Sequence, residues 1–490
     1  MGMSPRQSSR LATHPPLGYS LSTPVPNLLD AAITPDSPGR STLRPRRRLG
    51  LFSLVCVMFL VVSGGPYGIE DAVHYAGPRL AILLCLIVPL TLSLPTALMA
   101  AELTALRPLE GGFYFWVKEA MGPFAGFAEA YLTILYTAVD MAIYPVLFAA
   151  YLSYIVPLGP GAQIAIGIAL VWLAGLLNLA GIRPVGDASI GLAVGLLLPF
   201  VAMVAIGFNR ILHFQTPAVP LWTGDPLGAL GAGLTVIIWN FSGWENLSVV
   251  AAEVEDPRRN YLRAVAITVP LVAAAYVLPL MVSLSGSDGA NWREGWFSEV
   301  GLRLGGPILG KAIAVGGGAM SFAVFQAAML WVSRMPYVLA REGYLPPALR
   351  EIWAVTETPR KSIIWCCIVF TLLIPIGFLA LVVLDVFFYM AALALEMISM
   401  VRLRRLAPDR RGLFVVGGGT TGLMVTVAMP LMTWLATFGL AMSAGDGKRD
   451  FAIAIILATG VWPAYLLARR RWGGPARTDE ADAPAASSSR

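Results

Sequence analysis

Apolar runs long enough to cross a bilayer recur along nearly the whole of this 490-residue chain, and that repetition leaves room for few folds. They fall near 49–76, 80–106, 123–155, 162–181, 185–208, 227–254, 262–285, 307–336, 361–380, 382–402, 413–439 and 450–470. With 57% hydrophobic and 13% charged residues and a mean hydropathy of +0.70, no soluble core can hide them all. The expected fold is therefore all-α and integral to the membrane, with twelve transmembrane helices. Residues 1–48 are rich in Pro, Ser, Thr and Arg, end in the basic cluster Arg44, Arg46, Arg47 and Arg48, and show no apolar period. They read as a disordered tail, as do residues 472–490, leaving 49–402 as a ten-span core and 403–471 as two trailing helices. A cleaved leader is not expected, because the region before the first run is too long and Ser63-Gly64-Gly65-Pro66 is a poor cleavage site.

The net charge of +6 resides mostly in arginines between the runs and in the tails. If the amino terminus is cytoplasmic, loops on that side carry Arg107, Lys118, Arg183, Arg258, Arg259, Arg263, the stretch 341–361 and the stretch 402–411. The opposite side is poorer in basic residues. This asymmetry predicts an even number of spans with both termini cytoplasmic, and it suits a membrane better than a nucleic-acid surface. Cys56, Cys85, Cys366 and Cys367 all lie inside apolar runs, where they read as small buried hydrophobes.

Motifs for enzyme chemistry are lacking. Residues 305–311 nearly spell a phosphate loop, but Ala312 stands where Ser or Thr would hold magnesium, and no strand precedes it. His14, His74 and His213 have no metal-ligand spacing, and no nucleophile elbow occurs. Neither an enzymatic activity nor a cofactor or metal is expected. The triple glycines at 316–318 and 417–419 read as places where helices pack closely.

Two runs are interrupted at their middles. The first breaks at Ser63-Gly64-Gly65-Pro66, continues with Tyr67 and reopens at Glu70; the sixth breaks at Asn240-Phe241-Ser242-Gly243-Trp244 and reopens at Glu245. Glycine and proline withhold helix propensity where lipid tolerates loose backbone least, so such breaks should line a protein-enclosed cavity. Broken helices five spans apart point to an inverted-repeat secondary transporter holding its solute between the breaks. A simple glycine–proline kink is the alternative.

Ionisable groups inside the apolar runs are expensive and usually face a cavity or a partner. The candidates are Glu70, Asp71, Glu102, Glu129, Asp140, Glu245, Glu253, Asp385 and Glu396. On the third run Tyr136, Asp140 and Tyr144 share a stripe at i, i+4, i+8 near mid-membrane, and Glu129, eleven residues before Asp140, lies on the same face. Glu70 and Glu245 have a second reading as acids that complement the start of a half-helix, and Asp140 as a buried carboxyl paired with Tyr136. Tyr67, Trp239, Phe241 and Trp244 either cover a cationic solute or fill core. Glu102 reads as an interfacial partner of Arg107.

At these residues the chain resembles the amino acid, polyamine and organocation permease superfamily, and within it the polyamine and L-type amino acid transporter branch, over about 49–411. The first-span VSGGPYGIEDAV, the second-to-third-span AELTALRPLEGGFYFWVKEAMGPFAGFAE, the third-span VDMAIYPVLFAAYL, the sixth-span AAEVEDPRRNYLRA and the tenth-span LEMISMVRLRRLAPDRR carry the likeness. The resemblance implies a leucine-transporter-like 5+5 inverted repeat with helices 1 and 6 broken, working by alternating access. It also implies proton-coupled uptake or exchange of polyamines or amino acids. Several relatives carry a fifth-span lysine at the sodium site, whereas 184–208 has none, which leaves a carboxylate as proton carrier. The Arg-Pro-Tyr-type motif expected after span ten is replaced by Arg411-Gly412-Leu413-Phe414. Residues 156–161 lack the cysteine that links some relatives to a heavy chain, so no disulfide-linked partner is expected.

The combined expectation is a plasma-membrane importer of cationic organic solutes, putrescine or spermidine, with protons and the bilayer as its other partners. A neutral or cationic amino-acid exchanger of the same fold is the alternative, and a transport-dead nutrient sensor a further one. Expected solute contacts are Ser63, Gly64, Gly65, Tyr67, Glu70, Tyr136, Asp140, Tyr144, Asn240, Phe241, Ser242, Gly243, Trp244 and Glu245.

Overall fold

A computed structural model describes residues 50–473 except 64, 107–111, 182–185, 215–224, 250–256, 286–291, 354, 357, 407–413 and 443–446. Residues 1–49 and 474–490, which hold nearly all of the two expected tails, lie outside the described residues, as does Gly64. Among the described residues the regular structure is helical throughout, apart from one isolated bridge between Trp353 and Thr358. A helix stands at each apolar run. Nine described helices are long and apolar enough to cross a bilayer on their own, so the chain is a multi-span membrane protein.

The first run forms α1 (Leu51–Val62) and, after a break, α2 (Glu70–Ala76). Between them Gly65 at φ +104° and Gly68 at φ +83° hold conformations that L side chains rarely adopt, and Pro66 has no N–H to continue a helix. The second run is α3 (Pro78–Leu106), which contains a π-helical turn at Pro89–Ser93. Proline removes one ladder hydrogen bond there, and the widened turn aims the Ser93 hydroxyl at the carbonyl of Phe241, 3.1 Å away on the other broken helix.

Next come α4 (Gly112–Met121), the 33-residue α5 (Pro123–Ile155), α6 (Pro160–Leu179) and α7 (Gly186–Ile206). The sixth run opens with Asp225 accepting the Gly228 N–H at 3.2 Å and Pro226 in the first turn, a capped start for α8 (Pro226–Asn240). It stops at the second break and resumes as a 3₁₀ turn, Trp244–Val249. The chain then forms α9 (Pro257–Leu284), α10 (Trp296–Val332), α11 (Arg334–Arg341), α12 (Arg360–Leu373), α13 (Phe378–Leu406), α14 (Gly419–Ala441), α15 (Gly447–Thr459) and α16 (Val461–Trp472). A 3₁₀ turn at Ile374–Ile376 and Gly377 at φ +89° divide the ninth run from the tenth, where Pro375 and Gly377 were the only marks in sequence.

Two boundaries differ from expectation. The eighth helix starts at Trp296, eleven residues before the expected 307, and passes through a non-helical Gly306 at φ +73° just ahead of Pro307. The glycines at 417–419 do not pack two spans together: Gly418 at φ +81° turns the chain into the start of α14.

Helix α5 packs against α10 and α13 at the centre of the molecule. Two-thirds (67%) of the most apolar window of α13 is buried, against 17% for α14, so the trailing helices form a lipid-facing flank and take little part in the core. Glycines set how closely the central helices approach. A Cβ on Gly233 of α8 would lie 2.5 Å from the Ala76 Cβ and 2.9 Å from its backbone nitrogen, and one on Gly317 of α10 would meet the Tyr151 ring at 2.6 Å. Away from this centre, the expected partner of Glu102, Arg107, lies outside the described residues. The two Glu102 oxygens take both arms of the buried Arg404 guanidinium from α13 and the Val416 N–H at 2.8 Å. Either charge would be stranded without the other.

Candidate functional site

The two breaks face each other across Tyr276 of α9. Its hydroxyl is shared between the carbonyls of Ser63, 3.2 Å away on the first break, and Asn240, 2.9 Å away on the second. Both carbonyls are left over because the helices stop there, so one phenol ties together backbone that a regular helix would have satisfied internally. Beside this tie lies a cavity of about 130 Å³, floored by the breaks and walled by α5, α10 and α13. That is well under the roughly 300–1,000 Å³ of sites for drug-sized molecules and suits a small solute.

Of the expected contacts, Ser63, Gly65, Tyr67, Tyr136, Asp140, Tyr144, Asn240, Ser242, Gly243 and Glu245 line this cavity. The stripe on α5 does aim its three side chains at one place. The Asp140 carboxylate accepts the Tyr144 hydroxyl at 3.1 Å and the Trp239 indole N–H at 3.0 Å, which fixes its rotamer while its negative edge stays at the cavity wall. Glu245 accepts the Tyr389 hydroxyl at 2.8 Å, and that hydroxyl in turn accepts the Gly243 N–H at 3.2 Å, so the carboxylate is oriented through an amide freed by the second break. Tyr136 meets Tyr389 edge to face at 5.6 Å.

Four expected contacts are not among the lining residues. Gly64 is not described. Glu70 is fully buried at the first residue of α2, with one oxygen on the Gly68 N–H at 2.8 Å and the other on the Tyr151 hydroxyl at 2.6 Å. This is the half-helix arrangement, an acid holding the loose backbone ahead of it. Phe241 and Trp244 are buried as well: Phe241 packs edge to face on Tyr276 at 5.0 Å, and the Trp244 indole donates to the Phe241 carbonyl at 3.0 Å.

The structure adds Asp385 and Tyr389 of α13 and Met320 and Ser321 of α10 to the wall. Asp385 was one of the acids in the apolar runs, and Tyr389 sits four residues after it. An acid followed by a tyrosine at i+4 repeats the Asp140–Tyr144 spacing, and that repetition is the signal by which both could have been found. The wall thus holds Asp140, Glu245 and Asp385 with Tyr136, Tyr144, Tyr389 and Trp239, while no Lys, Arg or His is among the lining residues. Negative charge concentrated in a small space rimmed by aromatic faces favours a cation.

A bundle of membrane-crossing helices around a small polar cavity between two broken helices is the design of a solute permease. The profile of the family described as amino acid permease matches residues 49–461, and the chain belongs to that family. It is 33% identical over 433 residues to the polyamine transporter PUT1 of Oryza sativa subsp. japonica, covering 87% of this chain and 80% of the relative. With the polyamine transporter RMV1 of Arabidopsis thaliana it shares 31% identity over 403 residues, 80% of each chain. A more distant likeness, 26% over 287 residues, joins 55% of the chain to 53% of the Asc-type amino acid transporter 1 of Mus musculus.

Proposed function

We propose that this permease is a secondary active importer of cationic organic solutes of the putrescine and spermidine type, driven by the proton gradient through alternating access. The observation that carries this reading is the cavity wall, with three carboxylates and no basic side chain among its lining residues. A diamine has two separated ammonium groups and needs two separated anions. Asp140 on α5 and Glu245 after the second break provide them, Asp385 adds a third, and the aromatic faces cover the methylene chain. The relatives named as polyamine transporters, at 31 to 33% identity over most of their length, support the same substrate class.

In this proposal the twelve helical runs are twelve spans, the first ten arranged as a 5+5 inverted repeat over 49–402 with two trailing helices. The breaks are the moving parts, with Tyr276 as the contact between them. The second reading, an amino-acid exchanger, has in its favour the likeness to the Asc-type transporter.

Uptake of labelled putrescine, spermidine, leucine and arginine into proteoliposomes decides between them. Putrescine is expected to accumulate under an inward proton gradient, to leak away with a protonophore and to be indifferent to replacing sodium with choline. Accumulation of leucine without putrescine, or a strict sodium requirement, would reject the proposal.

The arginine asymmetry orients the protein in the plasma membrane with both tails cytoplasmic. Epitope tags at either end are then expected to stain only permeabilised cells, and staining of an intact cell would reverse the orientation.

A further inference from the structure

The cavity is one tier of a two-tiered arrangement of acids. On α5, Glu129 precedes Asp140 by eleven residues; on α13, Glu396 follows Asp385 by the same eleven. Eleven residues make three helical turns, so each pair shares one face of its helix with the members about 16 Å apart along it. Asp385 lies within electrostatic reach of Asp140, and Glu396 within reach of Glu129, so the two helices run in opposite directions and their acids line up level by level. Glu245 stands between the levels and interacts with Asp385 of the upper and with Glu129 and Glu396 of the lower.

The lower tier is sealed. Glu129, Glu245 and Glu396 are 0%, 1% and 3% exposed, and Glu129 and Glu396 line none of the described cavities. Glu129 Oε1 accepts the Thr133 hydroxyl at 2.8 Å. Glu245 Oε2 accepts the Tyr389 hydroxyl, whereas Glu129 Oε2, Glu245 Oε1 and Glu396 Oε2 have no hydrogen-bond donor among the described residues, although each belongs to a side chain almost wholly out of solvent. The other titratable groups that sense these acids are Tyr136 of α5, Tyr261 of α9, and Asp385 and Tyr389 of α13. Arg404, two turns beyond Glu396 on α13, is committed to Glu102. Three buried carboxylate oxygens without a donor, on acids that interact electrostatically with one another, are a site for positive charge. A solute ammonium in the cavity reaches Glu245 but not the two acids behind it, so the cation that fits the lower tier is a proton.

We propose that Glu129 and Glu396, together with the free oxygen of Glu245, form the proton-binding site of the transport cycle, separate from the solute cavity and joined to it through Glu245. When a solute ammonium enters beside Glu245, the O–H bond at Glu245 Oε1 breaks and a new one forms at Glu129 Oε2 or Glu396 Oε2. Glu245 becomes anionic and binds the ammonium, while the proton is parked on the far side of the same carboxylate. After the solute leaves on the cytoplasmic side, the proton returns to Glu245 Oε1 and is lost to cytoplasmic water, and the empty, outward-facing carrier takes a new proton from outside on Glu245, so one proton moves inward with each solute. Solute and proton thus compete for one side chain without sharing a cavity. This inference rests on the proton-coupled reading above.

The test separates coupling from solute binding. Wild type, Glu129→Gln and Glu396→Gln are reconstituted and assayed in two modes: accumulation of labelled putrescine under an inward proton gradient, and gradient-free counterflow of labelled against unlabelled putrescine. Both variants are expected to lose at least about tenfold in gradient-driven accumulation while keeping counterflow within about twofold of wild type, a tenfold loss being a 1.4 kcal/mol change in coupling. Glu129→Asp and Glu396→Asp, which keep a titrating group, are expected to restore part of the accumulation. Variants that accumulate like wild type would overturn the lower tier as the proton site. So would loss of counterflow together with accumulation in the Gln and Asp variants alike, which would make these acids part of the solute site or the fold. If wild type itself ignores the proton gradient, the proton-coupled reading fails first, and the lower tier falls with it.

Discussion

Asp140→Asn and Glu245→Gln are each expected to weaken putrescine binding by about 1.5 to 3 kcal/mol, roughly ten- to a hundredfold in apparent affinity, because each removes one charge-assisted contact. Side-chain volume is almost unchanged, so the loss should follow charge rather than fit. In Asp140→Asn the amide oxygen can still accept the Trp239 N–H while the amide N–H donates to a Tyr144 hydroxyl turned to accept it, and in Glu245→Gln the amide oxygen can still accept the Tyr389 hydroxyl. Leucine, with a single ammonium that can lean on the carbonyls of the breaks, should be affected much less. Competition by putrescine, spermidine, leucine and arginine against a labelled solute measures the difference. Equal losses for the diamine and for leucine would sink the cation reading and leave the amino-acid exchanger.

Leucine in place of Gly65 or Gly243 is expected to cut putrescine uptake by about two orders of magnitude, with surface expression retained. At Gly65 the backbone sits at φ +104°, and a Cβ would lie 2.5 Å from the Leu197 Cδ2. At Gly243 the space is more open, the nearest atom being the Asn246 amide nitrogen at 3.4 Å, but φ is +92°. A non-glycine residue held there stores about 1 to 3 kcal/mol of strain, and the rest of the effect comes from a butyl group projecting into a cavity of about 130 Å³. Gly243 also donates its N–H to Tyr389, so a displaced backbone would release the hydroxyl that orients Glu245. Alanine at 243 isolates the strain from the bulk and is expected to retain more activity than leucine. Wild-type uptake by both leucine variants would return the breaks to the status of simple kinks.

Much of this arrangement is legible in the chain because a bilayer writes simple rules. Lipid offers no hydrogen bonds, so spans must be helical, and their length is set by bilayer thickness; the apolar runs therefore locate the long helices, though not the short α4 between the second run and the third. Interruptions such as Ser63-Gly64-Gly65-Pro66 show for the same reason, since loose backbone at mid-membrane has no local excuse. Asp140 and its tyrosines are readable because all three lie on one helix, where spacing alone decides which side chains share a face.

What spacing within a helix cannot say is which helices meet, and there the sequence runs out. Glu70 and Glu245 have the same grammar, an acid opening a half-helix after a glycine-rich break, yet Tyr151 and the Gly68 amide consume both oxygens of Glu70 while Glu245 keeps one oxygen open. Glu102 has a partner 302 residues away in Arg404, which no local spacing announces. The phenol of Tyr276 that joins the two breaks carries no mark in its own neighbourhood. Nor could the two tiers be recognised as such, because the eleven-residue spacing on α13 gains meaning only when α13 lies antiparallel to α5. The sequence by itself determined the class, the helical runs, the two breaks and the inventory of buried acids, all of which follow from a local contest between backbone, side chain and lipid. Only the tertiary structure decided which acids face the cavity, which are spent as structural caps and which are stacked behind Glu245, because those roles depend on donors delivered by helices far apart in the chain.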